Sequence, residues 1–557
     1  MYKLFLCLRY LRKRVMAYFA VLAVALCVAM MLIVVSVMDG FLNKIEGAAK
    51  GLFGDIVIEA TGMGGLPYYD EFAREIEAKV PEVEGSSPFI QTYAVLSVPG
   101  GGDYRQAVQV AGIRLPERAR VSDFASGLFV QEDQSEPTFD PPVSRMIDRI
   151  IEHNDQTRRL LGQYRNNEHY ARLLRNSLSM QEGGMSNWEM AAIHQAELDR
   201  LEKEKEAAME KGEAQAKIDS LDEKIQFVKT RIIRPSNLRA IIGAGLPGMG
   251  FRTPEGQPIR SIVPGHQVKL SLLPLGKGGR VDVSQSRDET FTVVDDSKTD
   301  VSSIDASFVY VPFETLQKLI DMDALRSPAG DVVVPARATA IHVKVRDARL
   351  GDEKRLAMIR AKVQQVWEDF RKRPEYRGRL MGELPDTQPV EISIKTWRER
   401  QVMIISNISA QRTLVVIMFG IISTVAVVLV FVLFYTIVMQ KTKDIGVVKA
   451  IGGSSAGVAG IFLGYGAAVG FVGSIIGTAM GYIFVRNINP IHDWVGQSFG
   501  LVIWNREWFM FDKIPNEVQV LPALFIAVSA IVAGIVGALL PATLAARMQP
   551  VEALRYE

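Results

Sequence analysis

Four long stretches without a charged side chain most constrain how this chain can fold. They run from Val15 to Met38, from Thr413 to Gln440, from Ser454 to Val485 and from Val518 to Ala546. A charge-free apolar stretch of about 20 residues is long enough to cross the hydrocarbon core of a bilayer as a helix. A soluble core helix explains four such stretches poorly, so we predict four transmembrane helices.

The first stretch also has to be distinguished from a cleaved signal peptide. Its apolar part is longer than the usual apolar region of about 7–15 residues, and it lacks a clear small-x-small cleavage site. We therefore expect an uncleaved span.

Basic residues predict the orientation, because short loops rich in Lys and Arg stay in the cytoplasm. The amino-terminal tail carries Lys3, Arg9, Arg12, Lys13 and Arg14. If four spans alternate, the short loop with Lys441, Lys443 and Lys449 and the tail with Arg547 and Arg555 fall on the same side. We expect one span, a large extracytoplasmic domain and then three spans.

This arrangement gives a map of the chain. It places a cytoplasmic basic tail at 1–14, a first span at 15–38, an extracytoplasmic domain at 39–405, a second span at 413–440, a cytoplasmic helix at 441–454, a third span at 455–485, an extracytoplasmic loop at 486–517, a fourth span at 518–546 and a cytoplasmic tail at 547–557.

Charge and cysteine content limit the partners and the folding chemistry. The net charge is +2, so no strong overall field attracts nucleic acid. The two cysteines, Cys7 and Cys27, lie in or beside the first span, and the predicted large domain has none. No disulfide framework is therefore expected there.

The predicted large domain alternates strand and helix patterns. Residues 55–60, 93–98, 267–272, 307–313 and 340–345 read as half-buried strands. Amphipathic helices are indicated by Phe72, Ile76 and Val80 and by the set Leu356, Ile359, Val363, Val366, Trp367 and Phe370. Pro312 precedes a further short helix, where a proline is tolerated. The pattern is that of an α+β domain.

Residues 137–235 differ from the rest of this domain because they are highly charged and helical throughout. A heptad-like seam runs through Leu198, Leu201, Lys205 and Ala208 and continues at Ile218, Leu221, Ile225 and Val228. We predict an inserted antiparallel helical hairpin with its turn at Gly183–Gly184. The insertion is either a solvated segment without a role of its own or an arm that reaches a partner.

The sequence carries no residue arrangement typical of a catalytic, cofactor-binding or metal-binding site. It has no phosphate-binding loop, because the glycines around Lys277 lack the spacing and the hydroxyl that follows the lysine. The six histidines are scattered, and the acidic stretch at 294–305 lacks the features of a calcium loop. We expect no catalytic, cofactor-binding or metal-binding residues, so any energy must come from a partner.

The segment 441–454 joins the second and third predicted spans. Ile445, Val448 and Ile451 are three residues apart and predict one apolar helix face, whereas Lys443, Asp444 and Lys449 are polar. Gly452–Gly453 is expected to end the helix. Such a helix either anchors at the lipid surface or fills a groove on a soluble protein.

Several motifs resemble a known family. The run KTKDIGVVKAIGGSSAGVAGIFLGYGAAVGFVGSIIGTAMG at 441–481 and the ending LLPATLAARMQPVEALRYE at 539–557 resemble FtsX/MacB-type ABC transporter permeases. The motifs at 36–41 (SVMDGF), 110–113 (VAGI), 307–319 (SFVYVPFETLQKL) and 509–522 (FMFDKIPNEVQVLP) are more similar to the lipoprotein-releasing permeases LolC and LolE. The insertion at 137–235 departs from the family pattern.

The resemblance implies a non-catalytic transmembrane subunit with a MacB-like periplasmic core domain. A separate cytoplasmic ATPase would bind ATP and Mg²⁺, and two permease copies, identical or paralogous, would share two ATPases. The segment 441–454 would be the coupling helix on that ATPase, through Lys443, Asp444, Ile445, Val448, Lys449, Ile451 and Gly452. Substrate would be moved on the periplasmic side, by mechanotransmission, with a lipoprotein as cargo and a periplasmic carrier as recipient.

Two sequence features suit such mechanics. The third span carries Gly466, Gly470, Gly473 and Gly477 in small-xxx-small pairs, which permit close helix contact. Residues 396–413, with an apolar face of Met403, Ile404 and Ile408, predict a helical stalk that extends the second span outward.

The spans carry no internal charge, which disfavours an ion channel or a secondary transporter. In the family, the first and second spans hold acyl chains. Here, this suggests contact through Met30, Val34, Met38, Phe419 and Phe431. Two other functions remain open: a MacB-like exporter of peptides or small molecules, and an FtsX-like signalling permease that regulates a cell-wall hydrolase.

Overall fold

The structure is a computed structural model, and it describes most of the 557 residues. The described residues are 15–62, 64–99, 104–132, 134–165, 167–210, 215–231, 238–247, 250–253, 258–274, 286–299, 301–328, 331–349, 351–384, 387–499, 504 and 513–549. The predicted basic tail at 1–14 and the chain end with Arg555 lie outside them.

Sixteen α-helices and one short 3-10 helix, Asp123–Gly127, are assigned among the described residues. The α-helices are α1 Val15–Phe53, α2 Tyr69–Lys79, α3 Leu115–Val121, α4 Val143–Gln163, α5 Glu168–Glu210, α6 Gln215–Arg231, α7 Ser302–Asp305, α8 Phe313–Leu319, α9 Glu353–Phe370, α10 Pro374–Leu380, α11 Trp397–Arg400, α12 Val402–Gln440, α13 Thr442–Ala450, α14 Ser455–Arg486, α15 Ile488–Phe499 and α16 Val520–Arg547.

Fifteen strands are assigned in the same part of the chain. They are β1 Ile56–Ala60, β2 Leu66–Pro67, β3 Val83–Ser97, β4 Arg105–Ile113, β5 Arg239–Gly243, β6 Gly250–Arg252, β7 Pro258–Arg260, β8 Gln267–Leu272, β9 Arg287–Ser297, β10 Phe308–Pro312, β11 Leu325–Arg326, β12 Val332–Val334, β13 Arg337–Ala338, β14 Ala340–Val345 and β15 Ile392–Thr396.

The chain divides into two compact units. The helical unit comprises residues 1–45, 403–505 and 513–557, and the sheet unit comprises residues 46–402 and 506–512. Four helices, α1, α12, α14 and α16, are long and apolar enough to cross a membrane by length and composition. The four predicted apolar helices are therefore confirmed, whereas their orientation and the map of cytoplasmic and extracytoplasmic segments stay predictions.

Two of these helices are much longer than the predicted spans. α1 and α12 each have 39 residues, so each is about 58 Å long at a rise of about 1.5 Å per residue. The hydrocarbon core of a bilayer is only about 30 Å thick. The polar residues after Met38 and before Thr413 continue the helices because backbone hydrogen bonding along a helix does not require apolar side chains.

The sheet unit is built on nine strands in the order β15-β1-β14-β3-β4-β10-β5-β9-β8. The 15-residue β3 bends this sheet back on itself, because β14 pairs with its first half and β8 pairs with its residues 94–97 along the same edge. β4 pairs along its other edge. Six strands therefore form a closed ring, and β14, β1 and β15 extend from it as a wing.

Helices cover this sheet as the amphipathic patterns predicted. Phe72 of α2 packs edge-on against Trp367 of α9, with ring centroids 5.0 Å apart, and Phe370 lies beside them. In β8 the alternate residues Val268, Leu270 and Leu272 are buried, as expected for a half-buried strand. The mixed α+β architecture agrees with the sequence interpretation.

The predicted insertion at 137–235 is built differently from a two-arm hairpin. Its first helix, α4, places Met146 and Ile150 in the main core of the sheet unit. Gly183–Gly184 does not form the predicted turn, because it lies inside the 43-residue helix α5. The second half of α5 instead packs on α6 through Leu198 and Ile225. Glycine lowers helix propensity by only about 1 kcal/mol, which flanking helix formers outweigh.

Candidate functional site

The helix between the second and third long helices is the first part of the candidate site. α13 presents Val447, Val448 and Ile451 to the surface, and Ile451 is 81% exposed. At 100° per residue, these three side chains share one face. Lys443 and Asp444 are also exposed at the start of the helix, where the Lys441 ammonium pairs with the Asp444 carboxylate. The exposed face therefore combines apolar and charged groups.

The predicted apolar face of α13 requires one correction. Ile445 does not share the exposed face with Val448 and Ile451, because its side chain is only 6% exposed and packs with Val438, Val458 and Ala545. The spacing of three residues could not distinguish an inward side chain from an outward one. Val447 takes its place at the surface, and the sequence interpretation missed it.

α13 ends at the glycine pair, as predicted. Gly452 has φ of +98°, a left-handed conformation that costs other residues free energy. Its amide donates to the Lys449 carbonyl, and the Gly453 amide donates to the Val448 carbonyl at 2.9 Å. This is a Schellman cap. It ends the helix sharply and leaves Ile451 at its outer tip.

Lys449 joins α13 to the end of the last long helix. Its Nζ donates to the carbonyl oxygens of Ala546 and Met548, at 2.6 and 2.8 Å. These carbonyls lie at the C-terminus of α16, where the last carbonyl groups have no backbone N–H partner within the helix. The helix dipole also favours a cation there. Lys449 is therefore directed toward the protein itself and fixes α13 on α16.

Close glycine contacts hold α14 on two flanks. A Cβ built at Gly466 would lie 2.5 Å from Ala538 Cβ, and one at Gly470 would lie 2.8 Å from Ile531 Cα, both in α16. A Cβ at Gly473 would lie 2.7 Å from Val24 Cγ1, and one at Gly477 would lie 2.5 Å from the Ala25 carbonyl oxygen, both in α1. The two small-xxx-small pairs thus contact two different helices.

Of the predicted stalk at 396–413, residues 402–413 form the first part of α12, whereas Thr396 ends β15 and residues 397–400 form the separate helix α11. The apolar face of the stalk requires a second correction. Ile405 and Ile408 are buried, whereas Met403 and Ile404 are exposed. Residues 402–440 form one uninterrupted helix, so no joint separates the predicted stalk from the predicted span. Such a helix transmits a displacement along its axis.

An ion pair that the sequence interpretation missed joins α1 to α12. The Arg412 guanidinium contacts the Asp39 carboxylate, whose side chain is only 8% exposed. Asp39 directly follows the charge-free stretch of α1, and Arg412 directly precedes that of α12. The sequence could have indicated this ion pair, because two opposite charges border the charge-free stretches of the two helices.

Within the sheet unit, the end of α1 is held by buried polar groups. The fully buried guanidinium of Arg118 donates to the Leu52 carbonyl at the C-terminus of α1 and contacts His342 Nδ1. Burial lowers the pKa of Arg118 to about 10. Burial, followed by the charges of Arg118 and Arg400, holds the pKa of His342 well below its usual range, so this ring stays neutral. These contacts fix the last turn of α1.

An apolar cavity of about 260 Å³ lies among α1, α12 and α16. Its lining includes Cys27, Met31, Ser423, Val430 and Ser529. None of the five residues predicted to contact acyl chains is among them. Met30 is exposed, and the other four are half-buried: Val34, Met38, Phe419 and Phe431.

Family models match two regions of the chain. Residues 416–550 match the FtsX-like permease C-terminal model, and residues 18–143 match the MacB-like periplasmic core domain model. The first match contains α13, α14 and α16, and the second contains most of α1 and the strands β1–β4. The resemblance to FtsX/MacB-type permeases is therefore confirmed.

Curated relatives match over part of their length. A lipoprotein-releasing system transmembrane protein LolC from Xylella fastidiosa is 26% identical over 164 residues, which are 29% of this chain and 40% of that protein. LolC from Neisseria meningitidis is 27% identical over 177 residues, covering 31% and 42%. LolE from Haemophilus influenzae is 28% identical over 117 residues, covering 21% and 28%. The alignments span less than half of each relative.

Proposed function

We propose that this chain is the transmembrane permease subunit of an ABC transporter in the inner membrane. In this proposal it converts the motion of a separate cytoplasmic ATPase into movement of its periplasmic sheet unit and so releases lipoproteins from the membrane. The observation that carries the proposal is the exposed apolar face of α13, formed by Val447, Val448 and Ile451, on a helix fixed to α16 by Lys449.

The ATPase binds α13 through this face. An amphipathic helix in a groove buries its apolar residues, and a Val or Ile side chain gains about 1.5–3 kcal/mol when it is fully buried. Lys443 and Asp444 lie at the rim of the contact, where charges set orientation and specificity more than affinity. ATP and Mg²⁺ are held by the partner, and this chain supplies the mechanical coupling.

Motion then passes through the packed helices. Closure of two ATPases moves α13, and Lys449 passes the displacement to α16. The glycine contacts pass it from α16 to α14 and from α14 to α1. α1 is continuous to Phe53, so its displacement reaches the sheet unit without a flexible linker. This is mechanotransmission without a pore.

The cargo assignment rests on the relatives and on the apolar character of the spans. The names of the relatives describe lipoprotein-releasing systems, and the cavity among α1, α12 and α16 has a largely apolar lining suited to an alkyl chain. A second permease copy packs against the exposed face of α12 in the bilayer. A periplasmic carrier receives the lipoprotein.

The coupling is tested with Val448→Asp/Ile451→Asp. The matched control, Val448→Leu/Ile451→Leu, keeps the surface apolar. We expect the aspartate variant to fold and reach the membrane but to lose copurification with its ATPase, and the leucine variant to retain it. Equal copurification of both variants contradicts the proposed contact.

The cargo is tested by depleting the chain and fractionating the membranes. We expect outer-membrane lipoproteins to accumulate in the inner membrane. If their distribution stays normal, the cargo assignment is wrong. Loss of peptide secretion would then favour the MacB-like exporter. A defect in cell separation would favour the FtsX-like signalling permease.

A further inference from the structure

The segment between α14 and α16 is unusually aromatic. Three of the six tryptophans of the chain, Trp494, Trp504 and Trp508, lie within 486–517. In α15 the rings of Trp494 and Phe499 are 61% and 65% exposed and pack edge-on, 5.9 Å apart. Neither the coupling contact nor the glycine packing uses these rings.

Two contacts fix the level of Trp504 and Pro515 along α1. A Cβ built at Gly40 would lie 2.7 Å from Pro515 Cβ, and the Phe41 and Trp504 rings are 6.2 Å apart, nearly perpendicular. Gly40 and Phe41 follow Asp39, the first charged residue after the apolar stretch of α1 that ends at Met38. Trp504 and Pro515 therefore lie where the charge-free part of α1 ends.

α15 is held at the same level. Asn489 in its first turn donates to the Ile514 carbonyl at 3.0 Å and accepts from the Ile514 amide at 2.9 Å. Further along α15, His492 Nε2 accepts a hydrogen bond from the Trp504 amide at 3.1 Å. These contacts join α15 to Trp504, which contacts Phe41, and to Ile514, which precedes the Pro515 that lies against Gly40.

The exposed rings continue an exposed apolar surface. α15 begins two residues after α14 ends, and Ile483 and Phe484 in the last turn of α14 are exposed. At the start of α16, Val520, Leu521 and Phe525 are exposed as well. Tryptophan is enriched at membrane interfaces because its ring is apolar and its N–H is polar. The neighbouring Arg486 and Asp493 are exposed and suit the headgroup region.

We propose that α15 lies in the extracytoplasmic membrane interface, with Trp494 and Phe499 inserted at the boundary between phospholipid headgroups and acyl chains. The occupant of this surface is phospholipid. The proposal requires the four long helices to span a bilayer, but it is independent of the coupling mechanism and of the cargo. It gives the helical unit an anchor at its outer end, against which α12 can move.

The test uses the full chain in phosphatidylcholine/phosphatidylglycerol vesicles. Cys7 and Cys27 are replaced by serine, and Trp494→Cys is labelled with an environment-sensitive NBD fluorophore. Met358→Cys is the matched control, because Met358 is 62% exposed on α9 of the sheet unit. Phe499→Cys provides a second position if Trp494→Cys does not fold.

We expect lipids with a nitroxide near the headgroup to quench the label at position 494 about threefold more than the label at 358, since an interfacial helix is buried only about 5–10 Å. Lipids with a nitroxide deep in the chain quench it less, and aqueous iodide quenches it least. Equal iodide quenching at 494 and 358 overturns the proposal. Protection from iodide without quenching by either lipid also overturns it, because the rings then face protein, such as a second copy.

Discussion

Two long helices of the helical unit, α14 and α12, show opposite ways of packing. α14 meets α16 through Gly466 and Gly470 and meets α1 through Gly473 and Gly477. α12 has a single glycine, Gly420, and no described atom lies within 4 Å of a Cβ built there. Large apolar side chains remain exposed along most of α12.

The difference has a mechanical meaning. In a bilayer, helices associate by close backbone approach and not by burial of apolar area from water, so glycine contacts define which helices move together. α1, α14 and α16 form one tightly packed block. α12 is held by fewer contacts, among them the Asp39–Arg412 ion pair and the approach of Gly537 to Val427 and Val430. We expect α12 to shift relative to this block.

The largest expected effect comes from overpacking the block. Gly470→Leu and Gly477→Leu would place a side chain against the backbone of a neighbouring helix and should lower the free energy of unfolding by about 3 kcal/mol or more. Unfolding in detergent mixtures measures this loss. Gly460→Leu is the control on the same helix, because nothing lies within 4 Å of its Cβ position. If all three variants unfold alike, α14 is not held by these contacts.

A smaller effect is expected from the contact that holds α12 to the block. Asp39→Asn and Arg412→Gln each remove one partner of the ion pair. Because the Arg412 side chain is 40% exposed, the loss should be only about 1–2 kcal/mol. The exchanged pair Asp39→Arg/Arg412→Asp should recover part of it. No recovery, or additive losses in the double variant Asp39→Asn/Arg412→Gln, would mean that the two groups do not interact.

Lys449 extends the block to α13, and its removal should have a still smaller effect on stability. Lys449→Met leaves the carbonyls of Ala546 and Met548 without their donor and should cost about 1 kcal/mol. ATP hydrolysis by the complex with the proposed ATPase should respond less to the proposed lipoprotein substrate, and Lys449→Arg should restore part of the response. Normal coupling in Lys449→Met would exclude Lys449 from the transmission path.

The smallest effect is expected at Gly420 of α12. Gly420→Leu fills open space and should change the free energy of unfolding by less than about 0.5 kcal/mol. A loss as large as that of Gly470→Leu would contradict the open packing at Gly420 and would mean that the proposed second copy approaches α12 there as closely as α16 approaches α14.

The sequence predicted helices, strands and helix ends well where a residue pattern is compatible with only one local structure. Charge-free length gave the four apolar helices, period-two alternation gave β8, and the glycine pair gave the end of α13. It could not predict the direction in which a side chain points on a short helix. Ile445 and Ile451 are both apolar and six residues apart, but only tertiary packing determines which one is buried.

Contacts between residues that are far apart in the sequence could not be predicted either. Gly466 and Gly473 were predicted to pack closely, but the sequence does not specify that they meet different helices. The closed ring of strands depends on β3 pairing with β8, about 170 residues later, and no local pattern encodes this pairing. Gly183–Gly184 misled the interpretation because glycines mark turns on average, whereas α5 continues through them.

The central claim, that α1, α14 and α16 form a block against which α12 moves, can be tested by spin-label distances in the complex with the proposed ATPase. Labels are placed at Tyr482 and Leu524 within the block, and at Tyr482 and Leu414 between the block and α12, after Cys7 and Cys27 are replaced by serine. When ATP is trapped, we expect the first distance to change by less than about 2 Å and the second by several ångströms. Equal changes in both distances would contradict the account.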